Sequence, residues 1–570
     1  MSAASKKTKA ERSPARTASE GRPARTPDGS GAFDFIHFFS NGKVRREYVE
    51  MVAFVLVLVC FLRMFGAEAY VIPTGSMATT LLGAYKISQC PECGAFTYVN
   101  ASEESERDGY VRSGLCENCV QPLEFERGAY HWGDRILADK LVYELRGPRR
   151  WEVAVFKYPN GVDRRPSGVF SARTNYIKRV VGLPGETVGV QYGDVFARKD
   201  GEAEFQIQRK PARVVLATRR LVYDNDRPPS DLADQKRFAR WSAENDGWTV
   251  EGDGRAFRSR RDGEGWLAYR HLLRPFLEES NPRPSLILDF EAYDTNRDQD
   301  ARRILDHFRT HWREMAKAWP HFELDFSLRD YLGAHWVGDL MIECDVQPAS
   351  PAGEFVLELV EANRIFRCVF DLKSGEASVF EGERKLASAP TTLRAGRTSR
   401  VRFANVDDQL LVWVDGTLAF DGDDSEGVVV EPPAAAERGP TPADLRPARI
   451  GSRRADVRVS SIQLFRDVYY SKTLRRSKWL EPSTPFWPLD EHEVESVRAV
   501  INAGAMRTFP LGSTEYLPLG DNSPASSDAR EWENVHVVDR RLFLGRAVVR
   551  FWPVVAWEGR RPLLRWKFVE

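Results

Sequence analysis

The chain has 570 residues, which suggests about two to four domains. Its 82 Lys and Arg balance 82 Asp and Glu, so no overall field recruits nucleic acid, and none is expected as a partner. An apolar fraction of 42% suits globular domains plus one membrane anchor.

Residues 1–46 are rich in Ser, Ala, Pro and Arg and carry ten Lys or Arg against four acids. Low apolar content predicts a disordered, solvated tail. Met51–Leu62 is then an unbroken run of twelve apolar residues; Arg63 interrupts it and Met64–Ala67 extends it. As a helix these reach about 25 Å, a little short of a hydrocarbon layer of about 30 Å, and Arg63 can snorkel to the headgroups. An anchor is expected over 47–68. The rival, a cleaved secretory leader, needs a small-residue cleavage site after a shorter core. The basic tail puts the N-terminal side in the cytoplasm and everything after residue 68 outside it, with membrane lipid as a partner.

Directly after the anchor comes Tyr70-Val-Ile-Pro-Thr-Gly-Ser-Met77. A serine here lies at the outer face of a bilayer, and Gly75 frees the backbone for close approach of a substrate. Cys90-Pro-Glu-Cys93 and Cys116-Glu-Asn-Cys119 follow, 22 residues apart. This spacing approximates a zinc ribbon, in which four thiolates close a tetrahedral structural site. An oxidising exterior would instead favour two disulfides. The block Gly133-Asp134-Arg-Ile-Leu-Ala-Asp-Lys140 precedes short β-branched runs at Val153–Phe156, Tyr176–Val181 and Thr187–Val190. Lys178 lies within Asn175-Tyr-Ile-Lys-Arg-Val-Val-Gly-Leu-Pro-Gly-Glu186, among apolar neighbours that can desolvate it. A lysine serves as a base for serine only when neutral, so burial is what the chemistry requires.

Residues 206–475 read as an inserted domain that the flanking chemistry does not need. Its second half alternates clearly, as in Asp339–Val346, Glu354–Val360, Arg364–Phe370, Arg400–Phe403, Gln409–Asp415 and Val457–Phe465. Closely spaced strands with turns such as Asp415-Gly416 predict an all-β sandwich. Cys344 and Cys368 fall on these strands and read as buried free thiols. Arg302–Trp319 reads as a helix, with Ile304, Phe308, Trp312 and Met315 on one side. His307 and His311 lie four apart there without the Glu of a zincin, and read as ordinary packing histidines. Pro482–Pro485 marks the return, and Glu491–Ala503 a short helix. Val535–Phe551 is again strand-like, after Leu519-Gly-Asp-Asn-Ser-Pro-Ala-Ser-Ser-Asp-Ala-Arg530.

In this order the blocks resemble those of type I signal peptidases, the Ser/Lys endopeptidases that trim leader peptides from exported proteins. The phrase Gln409–Gly422 resembles the strand pair of concanavalin-like jelly rolls. The resemblance implies a mainly β fold with one N-terminal transmembrane helix. A signal-peptidase β fold over 69–205, with a four-cysteine insert at 88–122, would resume at 476–570 after the jelly-roll-like insert. Ser76 matches the nucleophile, Lys178 the general base, and Ser526 the serine that orients the lysine. The Ser76 N–H and the Thr74 hydroxyl match the oxyanion donors. Asp528 and Arg530 match a structural ion pair near the site, with Arg179 a further partner. Ala78-Thr79 and Glu186 depart from the usual acidic-Pro pair and Asp. The implied substrates are secretory precursors with small residues at positions −1 and −3, met at the cytoplasmic (inner) membrane. Catalysis needs no cofactor; a structural Zn at Cys90, Cys93, Cys116 and Cys119 is separate from it. The alternative is an anchored envelope scaffold whose sandwich binds a glycan or an envelope protein. A soluble self-cleaving repressor-type Ser/Lys protease is disfavoured by the anchor.

Overall fold

The computed structural model describes residues 42–61, 66–106, 109–159, 174–230, 238–272, 284–296, 335–422, 426–434, 437–472, 494–495, 498, 505–532, 535–553, 555–558, 561–564 and 567–570. The tail up to residue 41, Arg63, the expected helix at 302–319 with its two histidines, the 482–485 return and most of the 491–503 helix lie outside them. The chain forms two units, residues 1–62 and 63–570.

In the first unit a helix spans Gly42–Phe61. Among the described residues no helix is long and apolar enough to cross a membrane, and the anchor expected over 47–68 runs through residues 62–65, which lie outside them. The reason is local. Lys43, Arg45, Arg46, Glu47 and Glu50 occupy the first turns, so the apolar part within the helix is Met51–Phe61, about 16 Å long. Ala67, counted as part of the span, instead opens a strand.

The second unit is built mainly from antiparallel strands. One eight-stranded sheet comprises β1 (Ala67–Val71), β2 (Arg135–Asp139), β3 (Val153–Lys157), β4 (Asn175–Gly182), β5 (Glu515–Leu519), β6 (Val538–Asp539), β7 (Phe543–Trp552) and β8 (Lys567–Phe568). Its order is β1-β2-β7-β3-β4-β5-β6, with β8 also on β7. Strand β3 is central, and Val153, Ala154, Val155 and Phe156 are all buried, as expected of a strand covered on both faces. A four-stranded sheet runs Gln206–Ile207, Asp194–Lys199, Glu186–Gln191, Arg507–Pro510. Glu186 accepts the Leu183 N–H and both Arg150 Nη2 contacts (2.6 and 2.7 Å), so it closes the turn after β4.

Two larger antiparallel sheets, of nine and seven strands, draw their strands from residues 220–466. The first centres on Val457–Arg466, Leu340–Pro348 and Ser399–Asn405; the second on Ala448–Arg453, Glu354–Glu361 and Arg364–Asp371. Their inner faces share one core, with Ile342, Cys344, Phe403 and Leu464 from one sheet and Phe355, Leu357, Phe366, Cys368 and Ile450 from the other. Each large side chain buried there contributes about 1.5–3 kcal/mol. Cys344 and Cys368 are buried free thiols. This sandwich leaves and rejoins the chain at one place: Gln208 N–H donates to Val195 O (2.8 Å) and Tyr470 N–H to Gly193 O (3.0 Å).

The four cysteines lie at the turns of two small hairpins, Tyr85–Gln89 with Phe96–Asn100 and Ser113–Leu115 with Pro122–Glu124. Each pair closes the same way. Gly94 N–H donates to Cys90 O and Val120 N–H to Cys116 O, with Gly94 and Val120 both at positive φ (70° and 59°).

Candidate active site

Ser76 sits in a single 3-10 turn, Gly75–Met77, shortly after β1. The loop around it is fixed by the Gly133-Asp134 block before β2. The Ile72 N–H donates to the Asp134 carbonyl (2.9 Å) and the Leu82 N–H to its carboxylate (2.8 Å). Lys178 projects from β4, where Val180 and Val181 are buried in the sheet core. Ser76 Oγ and Lys178 Nζ lie 2.6 Å apart, although 102 residues separate them in sequence. The lysine is 3% exposed. Burial pushes its ammonium down to about 8, against the pull of the Asp528 and Asp521 carboxylates, with Arg530 adding to the push.

A base held at about 8 must shed its proton before it can accept one from serine. Activity is therefore expected to fall as pH drops below about 8, and the limb should persist in kcat at saturating substrate. A kcat flat from pH 6 to about 8 would argue against Lys178 as base.

Thr74 caps the 3-10 turn at an exposed position, and its hydroxyl makes no capping bond. It stands two residues before Ser76. Ser526 is buried and its Oγ has no hydrogen-bond partner. It lies by Gly520, where an added Cβ would meet Ser526 Oγ at 2.1 Å and Ser76 O at 2.4 Å. The structure thus brings Ser526 to the turn that carries Ser76, but not into a hydrogen bond with Lys178.

Asp528 and Arg530 form a fully buried two-point pair (2.8 and 2.6 Å). The Asp528 carboxylate also accepts the Gly520 N–H (3.0 Å). Arg179 does not join this pair. Its guanidinium grips Asp521 through two contacts of 2.7 Å and donates to Trp151 O (2.6 Å). Asp521 carried no expected role, although it stands in the quoted 519–530 block. Asn522 beside it donates through its N–H to Ser76 O (3.2 Å) and through Nδ2 to Gly75 O (3.0 Å).

The insert reaches the same loop. Arg220 Nη2 donates to Ala78 O (2.9 Å) and Asp521 O (3.1 Å), and Arg220 Nε pairs with Glu291 (3.0 Å). Asp294 accepts Asn522 Nδ2 (2.8 Å), and the Tyr293 hydroxyl donates to Ala84 O (3.2 Å). A Cβ on Gly75 would meet the Tyr293 ring at 2.3 Å, so this glycine makes room for Tyr293 from the insert rather than for a substrate. Residues 206–475, expected to be material the chemistry does not need, thus contact the loop that carries Ser76. Neither periodicity nor motif marked Arg220, Tyr293 or Asp294.

The four cysteines are free and buried. Their ligand atoms all lie within 4.8 Å of one another, with Cys90–Cys119 at 3.6 Å and Cys93–Cys116 at 3.5 Å. Tetrahedral zinc with Zn–S of about 2.3 Å needs sulfur separations of about 3.8 Å, so the donor set fits such an ion.

Residues 110–246 match the signal peptidase, peptidase S26, family. The signal peptidase I of Pseudomonas fluorescens is 32% identical over 25% of this chain and 34% of its own length. That of Pseudomonas aeruginosa is 27% identical over 36% of this chain and 55% of its own length. The chain thus spans about a third to a half of these curated relatives. Among solved structures, the carbohydrate binding module CBM66 from Bacillus subtilis is 10% identical, with a TM-score of 0.22, over 40% of this chain and 95% of its own.

Proposed function

We propose that this chain is a serine endopeptidase that removes N-terminal signal peptides from exported precursors through a Ser76/Lys178 dyad. The observation that carries the reading is the 2.6 Å contact between Ser76 Oγ and a lysine whose burial lowers its pKa to about 8. The similarity to signal peptidase I supports it.

Neutral Lys178 takes the Ser76 proton as Oγ attacks the scissile carbonyl. The developing oxyanion is held by the Ser76 N–H and the Thr74 hydroxyl. Lys178 then delivers its proton to the leaving amine, and later activates the water that releases the acyl group. Ser526 orients the lysine once substrate has closed the site, which gives its unpartnered hydroxyl a role. Arg179, Asp528 and Arg530 act at a distance, by fixing the 519–530 turn against β4. Substrate lies extended beside a strand near Ser76, with small side chains at −1 and −3 in shallow pockets. The apolar turns Met51–Phe61, whose Phe54 and Val57 are exposed, dock the chain on lipid with its basic end in the cytoplasm. The four cysteines hold a structural zinc.

The test is cleavage of a purified precursor carrying an Ala-x-Ala site by the full chain in lipid vesicles, beside Ser76→Ala. One cut after the second alanine by wild type alone is expected. Equal cutting by both would overturn the dyad, and failure of the chain to float with the vesicles in a density gradient would overturn the lipid contact.

A further inference from the structure

We propose that the four-cysteine knuckle, holding zinc, braces the nucleophile loop through Thr295 and Asp294 of the insert. The inference rests on the peptidase reading for its kinetics, and on geometry alone for the brace. The knuckle is gripped by the insert on both halves. Asn118, between Cys116 and Cys119, accepts the Asp224 N–H (2.7 Å) and donates to Arg227 O (2.8 Å). Beside Cys90 and Cys93, Glu92 O accepts the Ser230 N–H (2.9 Å) and Gly94 O accepts from Arg227 Nη1 (2.9 Å).

The second grip leads to the catalytic loop. Leu115, directly before Cys116, donates its N–H to Thr295 Oγ1 (2.8 Å). Thr295 is fully buried and closes the 3-10 turn Ala292–Asp294. The next residue back, Asp294, holds Asn522 Nδ2 at 2.8 Å, and that same nitrogen holds Gly75 O at 3.0 Å. Tyr293 adds its ring against Gly75 and its hydroxyl on Ala84 O. Three consecutive residues therefore join the knuckle to the turn that carries Ser76. A metal would stiffen the knuckle further, because its hairpins have short strands and only a small core of their own. Thr295 is a positioning residue: it touches neither Ser76 nor Lys178, and acts through Asp294 and Asn522.

The experiment compares Thr295→Val, Thr295→Ser and zinc-stripped wild type, all as the full chain. Zinc per chain is read by mass spectrometry, kcat and KM from precursor cleavage, and amide exchange over residues 75–84. We expect one zinc per wild-type chain. Thr295→Val should keep its zinc, lose about tenfold in kcat with KM nearly unchanged, and exchange faster at 75–84. Thr295→Ser, which keeps the hydroxyl, should restore both readouts. Stripping zinc should reproduce the Thr295→Val loss and add little to it in that variant, as for two parts of one path. Wild-type kcat and exchange in zinc-loaded Thr295→Val would overturn the brace, as would a chain that binds no zinc. If stripped protein unfolds, the Val/Ser pair alone decides. If wild type cleaves no precursor, the peptidase reading fails while exchange at 75–84 still tests the brace.

Discussion

Lys178→Met is expected to abolish precursor cleavage and to make the fold more stable. Loss of the base should cost about 10²–10⁴-fold, taking the rate to background. Ser76→Ala should do the same by removing the nucleophile. The stability gain comes from the same burial that serves the chemistry. In the folded state the Lys178 ammonium sits near 8, below its ordinary value of 10.5. Between these values the unfolded chain binds more protons than the folded one, so stability rises with pH there; below about 8 the full cost of a buried charge is present. That cost is on the order of 3 kcal/mol, and methionine of similar volume removes it. Denaturant unfolding at pH 7 should show the gain, and at pH above 10 the two proteins should converge. A Met variant that still cuts, or that is less stable at pH 7, would contradict the role and the burial respectively.

Excising residues 211–469 and bridging the gap with a short Gly/Ser linker is expected to cost at least about a hundredfold in cleavage. The bridge itself is feasible, since both ends of the insert hydrogen-bond to Gly193 and Val195. What is lost is the grip on the catalytic loop: Arg220 on Ala78 O, Tyr293 against Gly75, and Asp294 on Asn522. The loop would keep its Asp134 bonds but not its far wall. The sandwich, with its own core from residues 222–464, should fold when expressed alone. A truncated enzyme that cuts a simple precursor at the full-length rate would return the insert to the status of a dispensable module.

Legibility in the sequence followed the kind of signal. The alternating strands of 339–465 were readable because they send every second side chain into one shared core, as Leu340, Ile342, Cys344 and Val346 do. Ser76 and Lys178 were readable because their blocks are dense in special residues: Gly beside the serine, valines beside the lysine. The apolar run after residue 51 was readable as apolar, but not where its helix would begin and end; the helix starts in the charged turns and stops before Ala67. Long-range polar partners left no trace. Resemblance pairs Arg179 with Asp528, whereas its guanidinium grips Asp521. Arg220 and Asp294 act through individual hydrogen bonds, two and one of them, across more than a hundred residues of chain, and no local pattern encodes those.

The 519–530 turn has a consequence for the order of synthesis. Asp521 and Asn522 complete the surroundings of Ser76 and Arg179, yet Asp521 is made 343 residues after Lys178. At about 5–20 residues per second, roughly 20–70 s pass in which both Ser76 and Lys178 exist without the turn that seats them. For the peptidase proposed above, a nascent copy is expected to stay inert until its late segment emerges.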